Sequence, residues 1–348
     1  MGQFGKIEYM RRFIKAVLTA PGVGFFLPLI AQAHENYVLP KADIQKGMAD
    51  WSINVWSALN TPGNLLIGAK FASGLILAWI LYFIFQRSKA GKRFDAWMRA
   101  KDDFGSTLLR IVLGASLLFS AYSNVFLGPE IPLSSIPGGE YLRIPLYILG
   151  ALMVFGLFSR IAGAGAMIVT LLATFVYRDY MLTYFNYFGE FAALLLFGSY
   201  VFSGDRLRSA GRIVSEKARQ WEATILRVTY GISILYPAIS IKLLHPSIMI
   251  EIAEKYHLTD IHWLFPSDPL LISLGTGLTQ IAVGLAIMLG FETRLNSAIT
   301  FTLYIMSILY FQEAVWPHYI LLALALYLFV NNGGRWTVDE WLAKKLGR

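Results

Sequence analysis

Apolar runs recur along the chain, each ended by a short polar or basic break. Several exceed the roughly 18 apolar residues that a bilayer crossing requires. The pattern predicts spans at about residues 65–85, 107–127, 143–158, 161–179, 184–202, 223–244, 269–290, 295–313 and 318–332. The clearest break is the polar hairpin Glu292-Thr293-Arg294, closed by Asn296, inside the stretch Gln280 to Tyr319. A weaker copy runs from Tyr147 to Phe185. Aligning Gly150 with Gly284 places Gly156 on Gly290, Arg160 on Arg294 and Asp179 on Glu313. The chain therefore reads as a duplicated unit of antiparallel spans, residues 106–203 and 222–348. Four such helices with short connections form a four-helix bundle. The predicted fold is an all-α membrane protein of two parallel four-helix repeats plus one extra N-terminal span, 65–86.

The segments before that span carry separate signals. Residues 1–33 have a basic start, an apolar centre and Ala31-Gln32-Ala33, the pattern of a signal peptide. Pro21-Gly22 interrupts the centre, and a retained first span is the alternative. Both readings place residue 34 outside the cytoplasm. In the segment 34–64, Ile44, Met48, Trp51, Val55 and Leu59 form one apolar stripe at helical spacing. That stripe fits a helix on the outer membrane surface or one packed on the protein itself.

Charge then fixes orientation. The net charge is +8, which by itself suggests a nucleic-acid partner. The basic residues instead fill the linkers 87–105 and 204–221, the hairpin turns and the C-terminal tail, where topology accounts for them. Each repeat thus enters and leaves on the cytoplasmic side, which makes the repeats parallel. The predicted location is the cytoplasmic membrane, with the C-terminus inside and the lipid bilayer as the first partner. Hydrophobic residues make up 56% of the 348, charged residues only 15%, and mean hydropathy is +0.54, all against a soluble domain. The absence of cysteine excludes thiol redox chemistry, disulfides and thiolate metal sites within this chain.

Candidate chemistry gathers on the outer side, where all five histidines fall. Glu190 lies about 9 Å into its span at helical rise. A carboxylate at that depth marks a proton pathway or a structural ion pair, for which Lys242 is the nearest mate. Glu313 and His318 straddle a four-residue turn and can face each other as carboxylate and imidazole. These three, Glu190, Glu313 and His318, are the candidate proton-handling residues. Tyr184 and Trp316 stand in an aromatic belt on which a flat quinone headgroup could stack, with Lys242 at its polar end. If residues 1–33 are removed, His34 becomes an N-terminus whose amine and imidazole suit copper(II). Arg110 and Arg227, in LLRIVLG and ILRVTYG, read as snorkelling anchors, and Gly114 and Gly231 as close-packing positions.

In the second repeat Leu226, Arg227, Gly231, Gly284, Gly290, Arg294 and the run Gly334 to Asp339 resemble the DoxX family of four-span membrane proteins. The first repeat keeps Leu109, Arg110, Gly114, Gly150, Gly156 and Arg160, but its end, SGDRLRS, lacks the GRWTVD-like ending. The resemblance implies two DoxX-like four-helix repeats. Some members of the family form the membrane subunit of thiosulfate:quinone oxidoreductase, so it also implies a quinone-interacting membrane component with a redox partner subunit. A proton-coupled transporter and a non-enzymatic scaffold or copper-handling protein are the rival readings. The repeats diverge where chemistry is expected: Tyr184 stands where His318 does, and Leu324 where Glu190 does. Any site is therefore expected to be single and built unequally.

Overall fold

The apolar runs fold into helices within a few residues of their predicted places. The computed structural model describes residues 38–199, 201–208, 215–262, 264–311 and 315–345. In chain order the helices are α1 (Lys41–Ala49), α2 (Asn64–Arg87), α3 (Lys89–Arg99), α4 (Asp102–Tyr122), α5 (Arg143–Phe155), α6 (Ser159–Tyr177), α7 (Phe185–Phe197), α8 (Gly204–Arg208), α9 (Glu216–Pro237), α10 (Pro246–Lys255), α11 (Pro269–Leu289), α12 (Thr293–Phe311), α13 (Trp316–Asn331) and α14 (Val338–Lys345). Five stretches are long and apolar enough to cross a membrane: α2, α4, Ser159–Phe197, Glu216–Leu243 and α11. Ser159–Phe197 folds back at the 3-10 turn Arg178–Tyr184, so that α6 and α7 pack side by side. By length and composition this is a multi-pass membrane protein. The signal-peptide prediction, His34 and Glu313 lie outside the described residues.

Glycine decides how closely the helices approach. A Cβ on Gly114 of α4 would stand 2.6 Å from Val154 N, and one on Gly231 of α9 would stand 2.6 Å from Met288 Cβ. Both positions are therefore the close crossings that the sequence predicts, α4 on α5 and α9 on α11. Gly156 and Gly290 end α5 and α11 at φ +61° and +69°, the left-handed conformation that closes a helix.

The two sets of four helices do not close as separate bundles. Neighbours follow in the order α4, α5, α6, α7, α9, α11, α12, α13 and back to α4. The first and last helices of each set, α4, α7, α9 and α13, share one hydrophobic core. At one of these seams Gly189 on α7 lies so close to α9 that any Cβ would overlap the Thr229 side chain. The last helix of each set thus meets the first helix of the other. Helix α2 stands at the edge, and none of its apolar stretch is buried. It is tied by Trp79 Nε1 donating to Asn296 Oδ1 at 3.0 Å and Gln86 Nε2 donating to Glu292 Oε2 at 2.5 Å.

The snorkelling role of Arg110 and Arg227 is corrected. They are 4% and 1% exposed. Arg110 donates to Met153 O and Val154 O, each at 2.6 Å, and to Phe202 O at 2.9 Å. Arg227 donates to Met288 O at 2.6 Å, Ile287 O at 3.3 Å, Arg335 O at 3.1 Å and Trp336 O at 3.4 Å. Each guanidinium satisfies carbonyls left over at a helix C-terminus and pins a closing turn to it.

The closing turns bond alike although SGDRLRS lacks the GRWTVD-like sequence. The Asp205 carboxylate accepts from Phe158 N and Ser159 N at 2.8 Å, as Asp339 accepts from Glu292 N at 3.0 and 3.2 Å. Ser203 Oγ accepts from Arg206 N, as Thr337 Oγ1 accepts from Glu340 N. The aspartate is common to both turns and caps the matching backbone N–H in each, two N–H groups at Asp205 and one at Asp339.

At the opposite end, residues 123–142 tuck into the body rather than lying over it. A small antiparallel hairpin, β1 (Val125–Phe126) and β2 (Gly128–Pro132), places Phe126, Leu127 and Ile131 fully out of solvent. The stripe in 40–60 packs on the protein only in part: Ile44 of α1 lies against Val38, Leu39, Ile248, Met249 and Ile252, and Val55 against Leu271 and Leu274, while Met48, Trp51 and Leu59 stay exposed.

Candidate functional site

Two ends can be distinguished. The arginine end holds Arg110, Arg227, Arg294 and the closing turns. The loop end holds 123–142 and 245–268, together with His245, His257, His262 and His318.

The inner helices carry a polar cluster between these ends. Glu190, on α7, is 2% exposed. Its Oε1 accepts from Asn186 Nδ2 at 3.2 Å, one helical turn back, and its Oε2 has no hydrogen-bond partner among the described residues. Tyr187 and Tyr230 lie within electrostatic reach of Glu190. The Tyr187 hydroxyl sits 2.6 Å from Ser116 Oγ of α4, and Tyr230 Oη donates to Leu321 O of α13. His318, 2% exposed, places its ring 5.9 Å from that of Tyr304. An uncompensated charge in such surroundings is costly, so the cluster suits a group that gains and loses a proton.

The predicted mate of Glu190 is elsewhere. Lys242 lies in the π-helical turn Ala238–Leu243 beside α11, where its carbonyl accepts from Ser273 Oγ. Among the described residues no ion pair joins it to Glu190. The aromatic candidates use their polar atoms within the protein. Tyr184, 2% exposed, donates to Glu130 Oε1, and Tyr180 donates to the same oxygen at 3.1 Å. Trp316 Nε1 donates to Leu127 O at 2.6 Å and its ring stacks on Phe119. No family model, curated protein or solved structure matches this chain. Function therefore has to be argued from the cluster itself. Among the described residues no group of three or more His, Asp or Glu side chains converges as a metal site.

Sequence reasoning placed Tyr187 only in the aromatic belt and missed Glu130, Ser116 and Tyr230. The tyrosines at 177, 180, 184 and 187 recur at helical spacing, which was a readable signal. Glu130 sat in a loop and gave none.

Two clefts open at the arginine end. One of about 190 Å³ is lined by Phe83, Gln86, Arg87, Glu292 and Asp339. Another of about 400 Å³ is lined by Thr224, Arg227, Trp336 and Trp341. In the first, burial pushes Glu292 up to about 8, with the Asp339 charge adding to it and Arg87 opposing. Burial likewise raises Asp339 to about 6, opposed by its bond from the Glu292 backbone and by Arg87 and Arg227.

Proposed function

We propose that this chain is a DoxX-like membrane protein formed by duplication of a four-helix unit. In this reading it is the proton-handling, quinone-interacting membrane component of an extracytoplasmic redox system. The observation that carries the reading is Glu190, a carboxylate on an inner helix with one oxygen unpartnered. Carboxylates inside membrane bodies are costly and are kept for pathways rather than stability. Quinone reduction takes up protons together with electrons; a buried acid beside tyrosine hydroxyls supplies the protons, and the electrons come from the redox partner subunit. The basic arginine end faces the cytoplasm and the Glu130 end faces outward.

Support for the duplication comes from matched bonding. Gly156 and Gly290, Phe158 and Glu292, Phe202 and Trp336, and Asp205 and Asp339 occupy corresponding places, all at one sequence offset. Phe158, Glu292, Phe202 and Trp336 all take positive φ. Unrelated turns would have no reason to share strain, arginine bonding and aspartate capping.

The test uses protein purified in nanodiscs with a short-chain quinone. The quinone is expected to bind. With dithionite as the electron donor in place of the partner subunit, proton uptake on reduction of the bound quinone is expected to slow about a hundredfold in Glu190→Gln, with the fold retained by circular dichroism. Absence of quinone binding, or equal rates in the folded variant, would sink the reading. One observation favours a proton-coupled transporter instead: Glu190 sits beside Gly189, where α7 of one half meets α9 of the other. Proton-coupled flux in vesicles without quinone binding would select it.

A further inference from the structure

Glu190 is enclosed, so a proton needs a route to it, and polar groups lie on only one side of it along α7. Toward the arginine end α7 continues with Phe191, Ala193 and Leu194, all buried and apolar. Tyr230 offers no relay, because its hydroxyl donates to the Leu321 carbonyl, which has no proton to pass on.

Toward the loop end the polar groups follow one another. Glu130, half-buried on β2, accepts from Tyr180 and Tyr184. Tyr187 comes next, 1% exposed, with its ring 6.1 Å from that of Tyr184 and its hydroxyl bonded to Ser116. Ser120, four residues on from Ser116 and on the same face of α4, lies nearer the loop end. It is fully buried and its Oγ has no partner among the described residues. Glu190 follows Tyr187 by three residues on α7, with Oε2 equally unpartnered. Two unsatisfied buried oxygens on either side of a bonded Tyr–Ser pair are the setting that ordered water fills.

We propose that protons exchange with Glu190 from the loop end, with Glu130 as the collecting carboxylate and Tyr184, Tyr187, Ser116 and Ser120 as the relay. Each hydroxyl accepts a proton from the side of Glu130 as it donates its own toward Glu190. One proton leaves the Glu130 carboxyl, one arrives at the Glu190 carboxylate, and the hydroxyls end as they began. The inference rests on Glu190 as the proton-binding group, and its test separates the two ideas.

Infrared spectroscopy of the full chain in nanodiscs, moved from H2O to D2O, follows exchange at the Glu190 carboxyl. The band is assigned by its loss in Glu190→Gln. Glu130→Gln and Tyr184→Phe are each expected to slow that exchange about a hundredfold, and Glu130→Asp to restore much of it. Tyr184→Phe removes one oxygen, so it keeps the test usable if Glu130→Gln disturbs the hairpin. An opened or unfolded variant would exchange faster, the opposite sign. Unchanged exchange in both variants, each folded by circular dichroism, overturns the route and leaves Glu190 in place. No band lost in Glu190→Gln overturns the assignment of Glu190 itself.

Discussion

Replacing Arg110 by Met separates two accounts of the arginines at the helix ends. Met keeps the aliphatic length and removes the guanidinium. Arg110 is 4% exposed, and its three bonds to carbonyl oxygens measure 2.6, 2.6 and 2.9 Å. A hydrogen bond from a charged donor contributes about 1.5–3 kcal/mol, and a buried acceptor left without a partner costs about 1–3 kcal/mol. These contributions overlap, and water reaches a helix end more easily than a core. A net loss of about 3–5 kcal/mol is therefore expected. Lysine discriminates further. Its ammonium is a point charge without the planar fork that spans Val154 O and Phe202 O, so Arg110→Lys should recover less than half of the loss. A snorkelling anchor would behave otherwise: lysine would replace arginine freely and Met would cost little. Reversible unfolding in mixed micelles, followed by far-ultraviolet circular dichroism, measures both variants. A Met cost below about 1 kcal/mol, or full rescue by Lys, would refute the carbonyl-clamp account.

Three other outcomes can be measured, two of them at the arginine end. Gly290→Ala should cost about 1–3 kcal/mol, because Gly290 has φ +69° and its Cβ would stand 2.6 Å from Arg227 Nη1 and Thr337 Cγ2. Gly68→Ala on α2, where nothing lies within 4 Å, should be neutral or slightly stabilising by the same melting assay. Glu292 gives a pH dependence with a definite sign. Its folded value of about 8 lies above the ordinary 4.5, so its contribution is fully present below about 4.5 and is lost as pH rises through about 8. Glu292→Gln, which keeps the bond to Gln86 and holds no charge beside Asp339, should melt like the parent at pH 4 and higher than it at pH 9. Equal melting at pH 9 would mean that Glu292 ionises freely in the folded protein, with Arg87 alone offsetting its charge.

Much of the helical layout was legible because a membrane helix declares itself by a long apolar run and its basic ends. Glycine was legible in part: Gly114 and Gly231 were read as close-packing positions and are, whereas Gly156 and Gly290 were read only as matching positions and prove to end their helices. The arginines were misread, because a lone cation near a span end looks the same whether it points to headgroups or to carbonyls. The shared bonding of the closing turns went unseen because SGDR and TVDE share little sequence, although serine and threonine cap alike and the aspartates stand at the same place. Glu190 was found from depth alone. Its partners were not, since Ser116, Tyr187 and Tyr230 lie on three helices whose contacts no linear pattern specifies.

By itself the sequence determined which segments are helices, where they turn and which end is basic, because those properties depend on residues near one another in the chain. Only the tertiary structure decided that the halves close on each other, with α7 against α9 and α13 against α4. Both seams use contacts between residues far apart in the chain, Gly189 of α7 against Thr229 of α9 and Gly105 of α4 against Asn331 of α13. The same closure put Glu190 inside a shared core rather than at a lipid-facing edge. It also left Lys242 beside a different helix and brought a loop glutamate onto the tyrosines above Glu190.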